Sequence, residues 1–102
     1  CELLKSAAEK FSIQLEQVDF KKPTVDVVSN VDLSVYHSPE EIKFLLAKQL
    51  YSPVRWVEII QLFKRRGIEH VVECGPGKIL SGLVKRIDKS ISTASICDLL
   101  TE

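Results

Sequence analysis

Methionine is missing from these 102 residues, and Gly, Pro and Cys are sparse at four, four and three. So few turn-forming residues, with no periodic repeat, exclude a collagen-like or low-complexity chain. Charge of one sign is missing too, because fourteen Lys and Arg balance fourteen Asp and Glu. Overall charge therefore offers nothing to a polyanion, and nucleic acid is not expected as a partner. No apolar run approaches the roughly 20 residues of a membrane span, and the N-terminus lacks the basic-then-apolar layout of a signal peptide. The chain accordingly reads as cytoplasmic, with no membrane partner. Cys1, Cys74 and Cys97 are odd in number and widely spaced, without a Cys-x-x-Cys pair, so neither zinc nor a disulfide framework is expected. They read as reduced and structural, and no metal or cofactor is expected. The missing Met, together with an opening directly on a helical pattern, leads us to expect further sequence ahead of Cys1.

What is present suits a packed core: 45% of residues are hydrophobic and 27% charged. Leu3, Leu4, Ala7, Ala8, Phe11 and Leu15 recur at helical spacing, which predicts an amphipathic helix from Glu2 to about Gln17. Thr24 to Val31 is β-branched and closes on polar residues, so it reads as a strand, with Ser29 and Asn30 as turn formers at its end. Ser38-Pro39-Glu40-Glu41 is a helix start with serine as N-cap, proline next and glutamate three residues on. That helix is expected to run to about Tyr51 on a stripe of Ile42, Leu45, Leu46 and Leu50. Ser52-Pro53 repeats the start signal for a third helix, faced by Trp56, Val57, Ile60 and Phe63 and ended by Gly67. Ile68 to Cys74 reads as a strand, Gly75-Pro76-Gly77 as a tight turn, Lys78 to Ile87 as a helix, and Ile91 to Ile96 as a last strand followed by a Leu99-Leu100 contact. His37 reads as a loop residue and His70 as an ordinary strand residue. The order predicts an α/β fold with a mostly parallel sheet, and its strands are too few to complete that sheet.

Two places carry possible chemistry. Helix follows helix across residues 48–56 with almost no loop, and Pro53 lacks the amide hydrogen that would normally reach the Gln49 carbonyl. That carbonyl must find another partner. The Gly75-Pro76-Gly77 turn ahead of a helix allows unusual dihedrals and could bring amides to an anion. As a phosphate loop it is poor, since Ile79 stands where Ser or Thr belongs.

The segments Val27-Val28-Ser29-Asn30-Val31-Asp32, Gln49-Leu50-Tyr51-Ser52-Pro53-Val54-Arg55-Trp56 and Glu73-Cys74-Gly75-Pro76-Gly77-Lys78-Ile79-Leu80, in that order and spacing, resemble the bacterial malonyl-CoA:acyl carrier protein transacylases. The resemblance implies that residues 1–102 are the C-terminal part of an α/β-hydrolase-like acyltransferase domain, acting in fatty acid biosynthesis with malonyl-CoA and acyl carrier protein as partners. CoA thioester would be a substrate, not a cofactor. Ser81 has Ile79 and Leu83 where the Gly-x-Ser-x-Gly elbow has glycines, so the nucleophile is not in this chain. The family's histidine would lie just ahead of Cys1, and neither His37 nor His70 matches it. The 102 residues alone are therefore expected to be inactive and to need the remainder of the enzyme. The resemblance assigns Gln49 a catalytic role, its backbone carbonyl orienting the absent histidine as Asp does in a Ser-His-Asp triad. It puts Gly75-Pro76-Gly77 near the active-site mouth and offers Lys78, Lys85 and Arg86 for acidic carrier protein or CoA phosphates. A reading of a different class remains, a noncatalytic α/β module binding an anion at that turn.

Overall fold

Helix α1 spans Glu2–Glu16, as its apolar spacing predicts, in a computed structural model that describes residues 2–100. Those residues divide between Trp56 and Val57 into two compact units. In the first, α1 buries Ala8 and Leu15, while Leu3 stays exposed. Helix α2, Pro39–Gln49, starts where its local signals say: Ser38 Oγ accepts the Glu41 N–H at 3.2 Å, and Pro39 occupies the first turn. The Glu41 carboxylate reaches back to the His37 N–H at 3.2 Å, a capping box displaced by one residue. Ile42 and Leu45 of α2 bury against Tyr36, with Phe20, Val31 and Leu46 around them. Lys43 of α2 meets Glu16 of α1 at 3.9 Å.

Two expectations fail in this unit. Residues 24–31 form no strand of a sheet; Val28 makes a lone antiparallel bridge to Val35, and Val25 is 72% exposed. The segment folds back on itself instead. Ser29 N–H donates to the Ser34 carbonyl at 2.8 Å, Leu33 N–H to the Ser29 carbonyl at 3.1 Å, and Val31 N–H to Ser29 Oγ at 3.1 Å. Among the described residues no neighbouring strand takes up its remaining backbone groups, and a β-branched run without a partner gains little from being extended. Leu33 accepts a left-handed φ of 63° to close this turn. The second failure is at Ser52-Pro53, which starts no helix. Ser52 Oγ donates to the Lys48 carbonyl at 2.7 Å, so its hydroxyl closes the end of α2, and α3 begins only at Trp56.

The second unit is a βαβ arrangement with a helix before and after it. Helix α3, Trp56–Arg65, buries Ile59 and Ile60. It stops at Gly67, φ 80°, where Ile68 N–H donates to the Phe63 carbonyl and Gly67 N–H to the Lys64 carbonyl, both at 3.0 Å. These two bonds are a Schellman motif, and the left-handed φ is why glycine stands there. Strand β1, His70–Glu73, pairs in parallel with β2, Ser92–Ser95, His70 opposite Ser92 and Glu73 opposite Ser95. Helix α4, Ile79–Ile87, connects them, and α5, Ile96–Leu100, follows at once. Ile60, Val84 and Ile91 form the core, with Phe63, Val71 and Ile87 packed on it. Each such full burial contributes about 1.5–3 kcal/mol. Leu99 and Leu100, expected as a terminal contact, are 49% and 78% exposed.

Alternation along β1 sends Val71 and Glu73 to one face, so a glutamate faces inward at the strand's end, 8% exposed. Its carboxylate accepts the Ser81 N–H at 2.9 Å, the Leu80 N–H at 3.1 Å and the Ser81 hydroxyl at 2.9 Å. Helix α4 has Lys78 at its N-cap and no capping side chain of its own. Glu73 does that work from the strand. The Ser81 amide, followed by the Leu80 amide and the Ser81 hydroxyl, holds its carboxyl below the usual glutamate range against the opposing effect of burial. A depressed folded-state ionisation contributes stability that is complete above the ordinary glutamate range and is lost as pH falls through and below it. Glu73→Gln should therefore lower Tm at neutral pH, and that difference should shrink as pH falls through and below the ordinary glutamate range. Thermal unfolding followed by circular dichroism at several pH values checks this; a difference independent of pH would show that the charge is not what holds α4.

Candidate active-site elements

The end of α2 unwinds through three tight turns. Leu50 N–H donates to the Ala47 carbonyl at 3.3 Å, Tyr51 N–H to Lys48 at 3.2 Å and Ser52 N–H to Gln49 at 3.4 Å. The last is long for an N–H···O bond. The Lys48 carbonyl, by comparison, also receives the Ser52 hydroxyl at 2.7 Å. Pro53 offers no N–H at the next position. The Gln49 carbonyl thus holds one weak bond from Ser52 and keeps a lone pair for a further donor.

In the second unit, Gly75 and Gly77 take φ values of 139° and 80°. Nothing lies within 4 Å of a Cβ built at either, so glycine is needed there for the dihedral and not for close packing. The anion-binding reading of this turn meets an obstacle: the Leu80 and Ser81 amides that would face an anion already bind Glu73. Lys78, the first of the cationic candidates, pairs with Asp98 at 3.0 Å. Lys85 and Arg86 lie in the last turn of α4, about 10 Å farther along at 1.5 Å per residue. The three cations do not converge. Lys85 and Arg86 instead border an open hollow of about 610 Å³ with Lys89, Ile91, Ser92 and Thr93, at the end of the strands opposite to the Gly75–Gly77 turn.

The most consequential role that the sequence did not disclose is that of Glu73. A helix beginning after Lys78 with no Ser, Thr, Asp or Asn at its cap, and a carboxylate at an inward strand position just before the turn, were the available signals. Cys74 and Cys97 are exposed thiols, which does not fit the buried structural role expected of them; Cys1 lies outside the described residues. His70 Nδ1 is 2.7 Å from Ser92 Oγ, an exposed cross-strand pair. Among the described residues no cluster of His, Cys, Asp and Glu could hold a metal, and no helix is long and apolar enough to cross a membrane.

No family model matches the chain. Individual proteins do. It is 40% identical over 96 residues to the malonyl CoA-acyl carrier protein transacylase of Escherichia coli, covering 94% of this chain and 31% of that protein. It is 43% identical over 97 residues to the protein of the same name from Bacillus subtilis, covering 95% and 31%. The backbone agrees. An acyl-carrier-protein S-malonyltransferase from Burkholderia pseudomallei superimposes with a TM-score of 0.88 at 49% identity, over 92% of this chain and 31% of its own. A malonyl-transacylase solved in complex with a type II PKS acyl-carrier protein gives 0.88 at 42% identity, over 93% and 31%. The chain thus spans about a third of the length of the relatives it matches, and its α/β fold is that of the C-terminal part of their acyltransferase core. In sequence and in backbone together, these residues are homologous to one third of the malonyl CoA-acyl carrier protein transacylases.

Proposed function

We propose that this chain is the histidine-orienting part of a malonyl-CoA:acyl carrier protein transacylase of fatty acid biosynthesis. The reaction is a ping-pong transfer in which a serine attacks the malonyl thioester, CoA leaves, and the phosphopantetheine thiol of acyl carrier protein takes malonyl from the serine ester. Serine and histidine come from sequence outside these residues, which contain no Gly-x-Ser-x-Gly. The observation that supports a role for this chain is the Gln49 carbonyl, which accepts a long 3.4 Å bond from the Ser52 N–H at a place where proline removes the next donor. A histidine N–H donated to it would fix the tautomer that leaves the other ring nitrogen free as general base. A neutral carbonyl gives less electrostatic support than an aspartate, and orientation is what it contributes.

In a complete transacylase carrying this segment, Gln49→Ala should leave serine acylation close to normal, because the carbonyl remains. Pro53→Ala supplies an N–H four residues after Gln49 and lets α2 compete for that oxygen, so acylation should fall by about 10-fold to 100-fold with little change in Tm. Single-turnover acylation with malonyl-CoA, measured beside thermal unfolding, decides between backbone and side chain. A larger loss in Gln49→Ala than in Pro53→Ala at equal stability contradicts the proposal.

The partner residues divide by position. Lys78 stands by the turn and is paired with Asp98, whereas Lys85 and Arg86 share their hollow with Lys89 and present three cations suited to an acidic carrier protein. Charge reversal, Lys85→Glu with Arg86→Glu, should slow association with acyl carrier protein by about 10-fold at low salt and leave acylation by malonyl-CoA unchanged. Rapid-mixing kinetics of the two half-reactions measures this; equal losses in both would remove these residues from the carrier interface.

A further inference from the structure

Three of the four glycines, Gly67, Gly75 and Gly77, have left-handed φ values; Gly82 does not. It lies inside α4, where its N–H donates to the Lys78 carbonyl at 3.1 Å like that of any helical residue. Glycine is unfavourable at such a position, because it loses the most backbone freedom on folding. Packing does not ask for it either. Among the described residues, leaving aside its own helical backbone and chain neighbours, the atom within 4 Å of a Cβ built at Gly82 is Arg86 Nη2, at 3.9 Å. That is ordinary contact, so alanine would fit and would strengthen the helix. What glycine adds here is bare backbone. The surroundings of that bare spot are cationic. Lys85 and Arg86 follow Gly82 by three and four residues, which puts all three on one side of α4, and both cations are exposed. Buried Ser81 and Val84 mark the side facing the core. Lys89 joins Lys85 and Arg86 around the hollow at the end of the helix, and Asp88, the acid in this stretch, is engaged by the Ser90 N–H at 2.9 Å. Lys78, four residues before Gly82, is held by Asp98. The stretch left open therefore runs from Gly82 to Lys89.

We propose that Gly82 is the point of closest approach in the carrier interface, where the backbone of the acidic partner comes down onto α4 while Lys85, Arg86 and Lys89 meet its carboxylates. This inference rests on the reading of Lys85 and Arg86 as carrier contacts. Cations alone attract any acidic surface and speed its encounter. The bare backbone selects among such surfaces, since a partner shaped to descend to Gly82 gains close contact along α4 and one that is not stays at the height of the lysines. A side chain at position 82 holds both away equally.

In a complete transacylase carrying this segment, Gly82→Ala separates the helix from the interface. Tm should rise by about 1–3 °C through helix propensity. Affinity for acyl carrier protein, read as Kd by titrating a fluorescently labelled carrier, should fall by about 10-fold, and Gly82→Leu should weaken it further. Because the obstacle is steric, the ratio of variant to parent should persist as salt is raised, whereas the loss in Lys85→Glu with Arg86→Glu should shrink. If charge reversal weakens binding and Gly82→Ala does not, this inference is overturned and the carrier reading stands; if neither weakens it, the carrier reading falls and takes this inference with it. A lower Tm in Gly82→Ala would show that the remainder of the enzyme packs on Gly82. A loss of affinity that vanishes in an Arg86→Ala background would show that Gly82 acts only by seating Arg86. Either result would overturn the proposal.

Discussion

A single buried carboxylate governs the second unit. Glu73 ends β1 pointing inward, and an inward glutamate is tolerated only where its charge is met. It is met by two amides and a hydroxyl of α4. The same bonds settle two problems, the buried charge and the uncapped start of a helix, so the βα turn between them has little freedom left. Gly75 and Gly77 adopt the dihedrals that let the chain reverse over so short a distance. Once α4 is anchored there, Val84 meets Ile60 and Ile91, and the return strand pairs with β1 in parallel.

This joint bears on function by occupying a place where other α/β proteins bind anions. Helix N-termini attract phosphates because their amides are unsatisfied. At α4 the protein's own carboxylate takes the Leu80 and Ser81 amides, so the Gly-Pro-Gly turn is better suited to shape a cleft than to hold a phosphate. That weakens the anion-module reading, in which the turn would itself be the site. The cations we propose for an acidic partner lie elsewhere, at the far end of α4 beside Lys89.

Features closed by bonds over three or four residues were legible in the sequence. Ser38-Pro39-Glu41 started α2, and Gly67 ended α3, because the donors and acceptors concerned are neighbours along the chain. Where a residue had a choice, sequence did not disclose it: the Ser52 hydroxyl could cap a new helix or close the one before it, and it closes α2 through Lys48. Residues 24–31 carry strand-forming side chains, but a strand exists only with a partner, and here Val28 finds just Val35. Glu73 escaped for a related reason, since a cap supplied from a strand eight residues before Ser81 leaves no local pattern. That the Gln49 carbonyl would lack a donor from residue 53 was legible in the sequence because proline's missing hydrogen is a local fact.

The central claim is that the charge of Glu73, and no external anion, satisfies the start of α4. Amide proton shifts of Leu80 and Ser81, followed by nuclear magnetic resonance, test it most directly. They should titrate together, with a midpoint below the usual glutamate range, and should not move when inorganic phosphate is added at neutral pH. Amides that ignore the pH titration and shift with phosphate would contradict the account and return the turn to anion binding.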